Sequence, residues 1–175
     1  MATHGNKTIQ YSIYSRTEGG NPKFITDTSS LKRPDLDTLT ETIKGAGLMG
    51  EIELPTLGQL AAMAYEITFK RSNKDAIVFF GQKTQHFETR WVTDVLDATN
   101  AKIGISANKE IVKAIPKKLG LGNLEGNSSN ETTVALEVIY YKFIQDGVTL
   151  LEIDKLNNVF IVDGWDYAAQ IREAL

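Results

Sequence analysis

Residues 132–175 read TTVALEVIYYKFIQDGVTLLEIDKLNNVFIVDGWDYAAQIREAL, and this stretch decides the fold. Thr132–Gln145 alternates apolar and polar residues, the period-2 signature of a strand with one covered face. Asp146-Gly147 follows, and both residues tolerate the positive φ that a type I′ hairpin turn requires. Val148–Ile153 reads as the returning strand. Val159–Val162 is a third β-rich run, ended by Asp163-Gly164, and the chain closes on a short amphipathic helix from about Asp166 to Leu175. No catalytic group stands out in the block, which reads as a device for pairing strands and packing a sheet.

The preceding residues repeat the theme. Ile9–Tyr14 alternates, with Ile9, Tyr11 and Ile13 on the apolar side, and Ser15–Pro22 is dense in turn formers. Pro34 disfavours a central strand, and the threonine-rich stretch beyond it suits extended structure. Gln59–Lys70 places Met63, Tyr65, Ile67 and Phe69 on one face of a strand. Ser72–Gly81 reads as a short helix, with Ser72 as N-cap and Asp75 in a capping-box position. Phe87–Leu96 alternates again, Asp97–Asn100 is a turn, and Ala101–Ser106 and Glu110–Ile115 are separate β pieces, the second stopped by Pro116. Gly120–Asn130 is a glycine- and asparagine-rich loop, expected to be mobile and to order on assembly. About seven to nine strands and two short helices predict a mainly β (α+β) chain: one domain over residues 1–175, an antiparallel two-sheet sandwich or partly closed barrel.

Several kinds of chemistry are excluded or disfavoured. The chain has 175 residues, a net charge of −3, no cysteine and two histidines, His4 and His86. Disulfides, thiolate zinc sites and a cysteine nucleophile are ruled out, a multi-histidine metal centre is disfavoured, and no basic footprint for nucleic acid is present. No apolar run approaches a membrane span and no secretory leader is visible, so folding in a cytoplasm is expected. Gly45–Gly50 fits the G-x-G-x-x-G dinucleotide pattern. However, Glu51 and Glu53 would sit beside the phosphates and Pro55 would break the helix the motif requires. A glycine bend between two extended segments is the better reading. His86, Glu88 and Arg90 share one strand face and read as a solvated or interface face. Asp35 with Asp37, and Glu51 with Glu53, read as polar edges or an acidic inner surface. Trp91 and Trp165 read as core or interface anchors.

The C-terminal block resembles that of the major tail tube proteins of contractile-tailed bacteriophages and R-type phage-tail-like bacteriocins. The shared features are Tyr140-Tyr141-Lys142, Asp146-Gly147, Glu152-Ile153-Asp154, Asn157, Gly164 with Asp166, and Ile171-Arg172 with Leu175. Upstream, Leu31 with Pro34-Asp35-Leu36, Gly45-Ala46-Gly47 with Gly50, and Lys74-Asp75-Ala76 are similar to further segments of that family, so the resemblance spans Ile9 to Leu175. Leu31 and Pro34 are set further apart here than in the family pattern.

The resemblance implies a non-enzymatic structural subunit without a cofactor. It implies hexameric rings stacked into a hollow tube, assembled in the bacterial host and driven through a cell envelope when a surrounding sheath contracts. The implied partners are other copies of the chain, the sheath, baseplate and terminator proteins, and a tape-measure protein in the lumen. DNA would pass only in transit, and no stable membrane anchor is implied. Two groups of residues are then expected to matter. The hairpin around the glycine bend (Thr40, Thr42, Lys44, Gly45, Gly47, Gly50, Glu51, Glu53 and Leu54) reaches a neighbouring subunit. Tyr140, Tyr141, Asp146, Gly147, Asp154, Gly164, Asp166 and Arg172 hold the sheets and the terminal helix together. A β-sandwich ligand- or carbohydrate-binding module is the alternative, and it predicts a stable monomer with a concave aromatic patch.

Overall fold

A computed structural model describes residues 3–16 and 20–175. Twelve strands and two helices follow in the order β1 (Thr3–Arg16), β2 (Lys23–Phe24), β3 (Thr28–Lys32), β4 (Thr38–Ile43), β5 (Ile52–Leu60), β6 (Ala64–Phe69), α1 (Lys74–Phe79), β7 (Gln85–Asp97), β8 (Lys102–Gly120), β9 (Thr132–Gln145), β10 (Val148–Asp154), β11 (Val159–Val162), β12 (Trp165–Asp166) and α2 (Ala169–Ala174). Every pairing is antiparallel. Ten strands form one sheet along β12-β11-β10-β9-β8-β7-β1-β2, with β6 joining β9 to β3, and β4-β5 form a separate two-stranded sheet.

The long strand β9 organises this arrangement. One edge pairs with β8 along most of its length. Its other edge is shared, with β6 against residues 132–137 and β10 against residues 140–145. Divided in this way, the sheet curls into two layers. Strands β2 and β3 border β1 and β6 respectively and are joined through Ile25-Thr26-Asp27, so the curl nearly returns on itself without closing into a barrel. Ile13, Tyr65, Ile67, Phe69, Phe87, Val112, Val134 and Leu136 fill the space between the layers. Tyr65 stays compatible with that interior because its hydroxyl meets Thr89 Oγ1 at 2.7 Å.

Most predicted strands are present, and the differences have local causes. Ile9 is 57% exposed rather than buried with Ile13, because the register with β7 shifts between Thr8 and Gln10 and a bulge turns the side chain outward. Ser15 and Arg16 extend β1 by pairing with Phe87 and His86; of the expected Ser15–Pro22 loop, residues 17–19 lie outside the described residues. The expected Gln59–Lys70 strand is broken at residues 61–63, so Gln59 and Leu60 belong to β5. The two β pieces before Pro116 are one strand that runs through it. The register shift between Pro116 and Lys118 marks a bulge, where a missing N–H is tolerated. The cap of α1 is Asn73, whose Oδ1 accepts from Ala76 N at 2.8 Å, and not Ser72, whose hydroxyl is taken by Thr132. The terminal helix starts later than expected, at Ala169, because Asp166 is drawn into β12 opposite Ile161.

Candidate assembly surface

The hairpin β4-β5 projects as an arm. All six residues of β4 are exposed, as are the first six of β5. Its register places Ile43 opposite Ile52, Glu41 opposite Leu54 and Thr42 opposite Glu53. One face therefore carries Leu39, Glu41, Ile43, Ile52 and Leu54, and the other Thr40, Thr42, Glu53 and Pro55. Leu48 and Met49 crown the bend, with Met49 fully exposed. The bend holds Gly45, Gly47 and Gly50, and Lys44 Nζ closes on Glu51 at 2.6 Å. No helix follows the glycines; β5 does, as the carboxylates and Pro55 predict.

The root of the arm is clamped at three points. Arg33, just beyond β3, lies over the Trp91 ring at 4.5 Å and the Phe143 ring at 5.2 Å. Its Nε donates to Glu110 Oε2 at 2.8 Å and its Nη2 to Tyr141 Oη at 2.7 Å, while the Tyr141 hydroxyl donates to the same carboxylate oxygen at 3.0 Å. Burial opposes the Arg33 charge, but Tyr141 and Glu110 outweigh it and raise its pKa. Desolvation and the Glu110 charge push the Tyr141 phenol well up, so it remains a donor. At the second point, Lys155 Nζ holds Ala61 O at 2.8 Å and Glu137 Oε1 accepts from Met63 N at 3.0 Å. At the third, Gly58 has a φ of +69° and faces α2. A Cβ there would lie 3.1 Å from Ile171 Cδ1. Glycine suits the positive backbone angle, and an added Cβ would press on the Ile171 side chain.

The residues expected to brace the C-terminal block occupy several separate contacts. Tyr140 donates to Glu152 Oε1 at 2.8 Å, and Tyr141 belongs to the Arg33 clamp. Asp146 and Gly147 have φ values of 47° and 84°, and the Asp146 carboxylate ties Ser106 Oγ and Ala107 N to the turn. Asp154 accepts from the backbone N–H groups of Leu156 and Asn157, shaping the β10-β11 turn. Gly164 completes the β11-β12 turn. Arg172 bonds Asp166 Oδ2 at 2.5 Å and Asn158 O at 2.6 Å, anchoring α2 to β12 and to the β10-β11 turn. Trp165 is 70% exposed and anchors no core, whereas Trp91 stacks on Phe143 at 5.6 Å beneath Arg33.

The face carrying His86, Glu88 and Arg90 is only partly the solvated surface expected. Glu88 is fully covered, because Arg90, Arg16 and Lys109 fold over it. Arg16 Nε sits 3.1 Å and Lys109 Nζ 3.4 Å from its carboxylate. Burial acts to raise the Glu88 pKa, but the Arg90 hydrogen bond and the charges of Lys109, Arg90 and Arg16 prevail and lower it. Beside this cluster a groove of about 610 Å³ is lined by Gln10, Ser12, Arg90, Val92, Ala107, Lys109 and Ile144, among others.

Sequence reasoning missed Arg33, Glu110, Gly58 and the apolar residues of the arm other than Leu54. A signal for one of them was present. Glu110 alternates in phase with Val112 and Ala114, and a carboxylate on an inward face requires a cation. Among the described residues, no group of His, Asp or Glu is placed to hold a metal ion, and no helix is long and apolar enough to cross a membrane.

No curated protein matches the sequence. The solved structures similar to the chain include three from contractile injection systems. The PVC sheath-tube complex of an extracellular contractile injection system, in the extended state, has 13% identity and a TM-score of 0.49, over 79% of this chain and 89% of that one. The sheath/tube terminator of the PVC system has 10% identity and a TM-score of 0.48, over 79% and 94%. The anti-feeding prophage baseplate has 18% identity and a TM-score of 0.43, over 85% and 99%. The sequence itself matches the phage tail tube protein FII family over residues 17–175. With that match spanning nearly its whole length, the chain belongs to the phage tail tube protein family, whose members are structural subunits of tail-like particles and not enzymes.

Proposed function

We propose that the protein forms hexameric rings that stack into a hollow inner tube, with the β4-β5 arm making contact between subunits. The observation that carries this reading is the arm. Leu39, Ile43, Leu48, Met49, Ile52, Leu54 and Leu57 are all between 40% and 108% exposed on a two-stranded sheet. An isolated hairpin is marginally stable in water, and a contiguous apolar surface of this kind marks an interaction site. Ring closure and stacking require heterologous contacts, and an arm that leaves its own fold supplies one. Thr40, Thr42, Lys44, Gly45, Gly47, Gly50, Glu51, Glu53 and Leu54 belong to that contact. Tyr140, Tyr141, Asp146, Gly147, Asp154, Gly164, Asp166 and Arg172 keep the rest of the subunit in the shape its neighbours meet.

In this reading a contractile sheath surrounds the tube, a baseplate and a terminator bound it, and a tape-measure protein and transiting DNA occupy the lumen. Assembly takes place in the host cytoplasm. The ligand-binding alternative predicts a concave aromatic patch, and the Trp91-Phe143 pair does not supply one, because the two rings stack on each other and Arg33 lies over them. Negative-stain microscopy of the purified protein at rising concentration tests the reading. Rings and tubes are the expected result, and compact monomers at every concentration overturn it.

A further inference from the structure

The ten-stranded sheet has a second face. Where β1, β7, β8, β9 and β10 lie side by side, no second layer among the described residues packs over the side chains turned away from the core. The arm and α1 both arise from the other layer, the arm between β3 and β6 and α1 just after β6. In the hollow-tube reading, the open face is therefore the one that supplies a wall.

This face is rich in charge. Register sets Arg90 beside Lys109 in one row, Glu88 in line with Lys142 and Glu152 in the next, and Arg16 in line with Lys113 and Asp154 in the third. Lys142 Nζ lies 3.2 Å from Glu152 Oε2, and Lys113, over the Tyr140 ring at 5.3 Å, shares its row with Asp154. Toward the other end, Asp94 accepts from Lys7 N at 2.7 Å, and Asp146, at the edge, holds Ser106 Oγ and Ala107 N. Between the level of Asp94 and that of Arg16, cations and carboxylates thus stand close to balance. Cations outnumber carboxylates at one point only. Arg16, Arg90 and Lys109 all converge on Glu88, with Arg90 Nε at 2.6 Å, Arg16 Nε at 3.1 Å and Lys109 Nζ at 3.4 Å.

The vertical order in that cluster matters. Glu88 is fully buried, whereas the three cations above it remain partly open to solvent. A passing anion meets the cations first. To recruit them it must draw them off a buried carboxylate, and stripping a buried charge of its partners is strongly unfavourable. Phosphates bind lysine and arginine whose charge is free to replace counterions, and here that charge is already answered from beneath.

We propose that Glu88 keeps this face from holding polyanions, by tying down Arg16, Arg90 and Lys109 so that a nucleic acid in transit passes along the wall without binding. This rests on the hollow-tube reading, in which the face lines the lumen, and it assigns the residue on which unhindered passage depends.

The probe is a fluorescent single strand of DNA of about ten nucleotides, short enough to enter a tube from its ends. Binding is read by anisotropy on the unassembled chain and by co-sedimentation with tubes, at about 50 mM and about 200 mM salt. Wild type is expected to bind weakly in both forms. Glu88→Gln releases three cations and is expected to bind about tenfold tighter at the lower salt, with the gain lost at the higher. Adding Lys109→Gln to Glu88→Gln should remove most of the gain, which a purely structural role for Glu88 would not produce. Strand bound within tubes should be protected from added nuclease, and strand bound to the unassembled chain should not. Should Glu88→Gln fail to fold, Gln10→Lys with Ala107→Lys adds two cations at exposed positions of the same face and is expected to give a similar gain. Wild type binding as tightly as the variants, or no gain from a folded variant, overturns the inference. Equal digestion of tube-bound and chain-bound strand places the face outside the lumen and overturns it as well. Wild-type protein that forms neither rings nor tubes overturns the function itself, while anisotropy on the unassembled chain still decides whether Glu88 restrains the three cations.

Discussion

Strand β9 and the arm are written in the same alternating code and end in opposite environments. Along β9, Thr132, Val134, Leu136, Val138 and Tyr141 are buried, because β6, β8 and β10 hold the strand and the opposite layer covers one face. Along β4, Leu39 and Ile43 alternate just as regularly and remain exposed, because no second layer among the described residues packs over them. The comparison teaches that alternation announces a face to be covered but does not name what covers it. In the sheet the cover is intramolecular; for the arm the proposed cover is a second molecule.

Substitutions separate the two regions most sharply where the core is densest. Phe87 is fully buried, lies 5.8 Å from Tyr65 and meets Phe79 edge-on at 5.1 Å. Phe87→Ala should lower unfolding free energy by about 3–5 kcal/mol, measured by urea denaturation, and should abolish assembly along with the fold. Arg33 comes next, since it joins the two regions. Removing it leaves Glu110 buried without its cation. Arg33 is itself partly exposed, which leaves room for water, so Arg33→Ala should cost about 2–3 kcal/mol. Arg33→Ala with Glu110→Gln should recover much of that loss, because the stranded charge is gone. A double variant no more stable than the single one would show that the ring stacking, and not the ion pair, secures the arm.

The third effect is read in pH. The Glu88 carboxyl is held below its ordinary value in the folded state, with burial opposing and Arg90, Lys109 and Arg16 prevailing. A depressed folded-state pKa contributes stability that is complete above the unfolded value and is lost as pH falls through the folded one. Stability of the wild type should therefore drop more steeply on acidification below the ordinary glutamate range than that of Glu88→Gln, in paired melts across pH 7 to 3. Parallel curves would remove Glu88 as the source. The effect is smaller than that of Arg33 because long, mobile cationic chains rather than a packed layer cover the carboxylate.

The division between what the residues disclosed and what they did not follows the same line. The DG turn, the period-2 runs and the glycine bend specify local backbone geometry, and local geometry is legible: Thr132–Gln145 and Val159–Val162 form the strands their patterns predict. Contacts across the sheet were not legible. Nothing near Glu88 in sequence announces Arg16 and Lys109, which arrive on neighbouring strands, and nothing near Pro34 announces that Arg33 will reach Glu110 and Tyr141. The shift of the N-cap from Ser72 to Asn73 belongs to the same class. Either residue can cap, and Thr132, sixty positions away, engages Ser72.

The arm itself should show the smallest effects on folding and the largest on assembly. Gly47 has a φ of +92° with open space around it, so Gly47→Val strains one bend residue by about 1–2 kcal/mol at most, and the loop relieves part of that. The monomer should stay folded while tube growth stops. Leu54→Ser is the cleanest case. Leu54 is 46% exposed, pairs with Glu41 through the backbone and lies outside the core cluster, so its replacement should change unfolding free energy by less than about 0.5 kcal/mol. If the arm's apolar face is buried between copies, the same substitution removes a leucine from a dry contact repeated at every subunit. A modest loss per contact then acts on every step of growth. Circular dichroism melts superimposable on wild type, together with absent or shortened tubes in the microscope, are the expected pair of results. Tubes of normal length from Leu54→Ser would show that the arm's exposed leucines are uncovered in the assembly too, and the contrast between arm and sheet would lose its explanation.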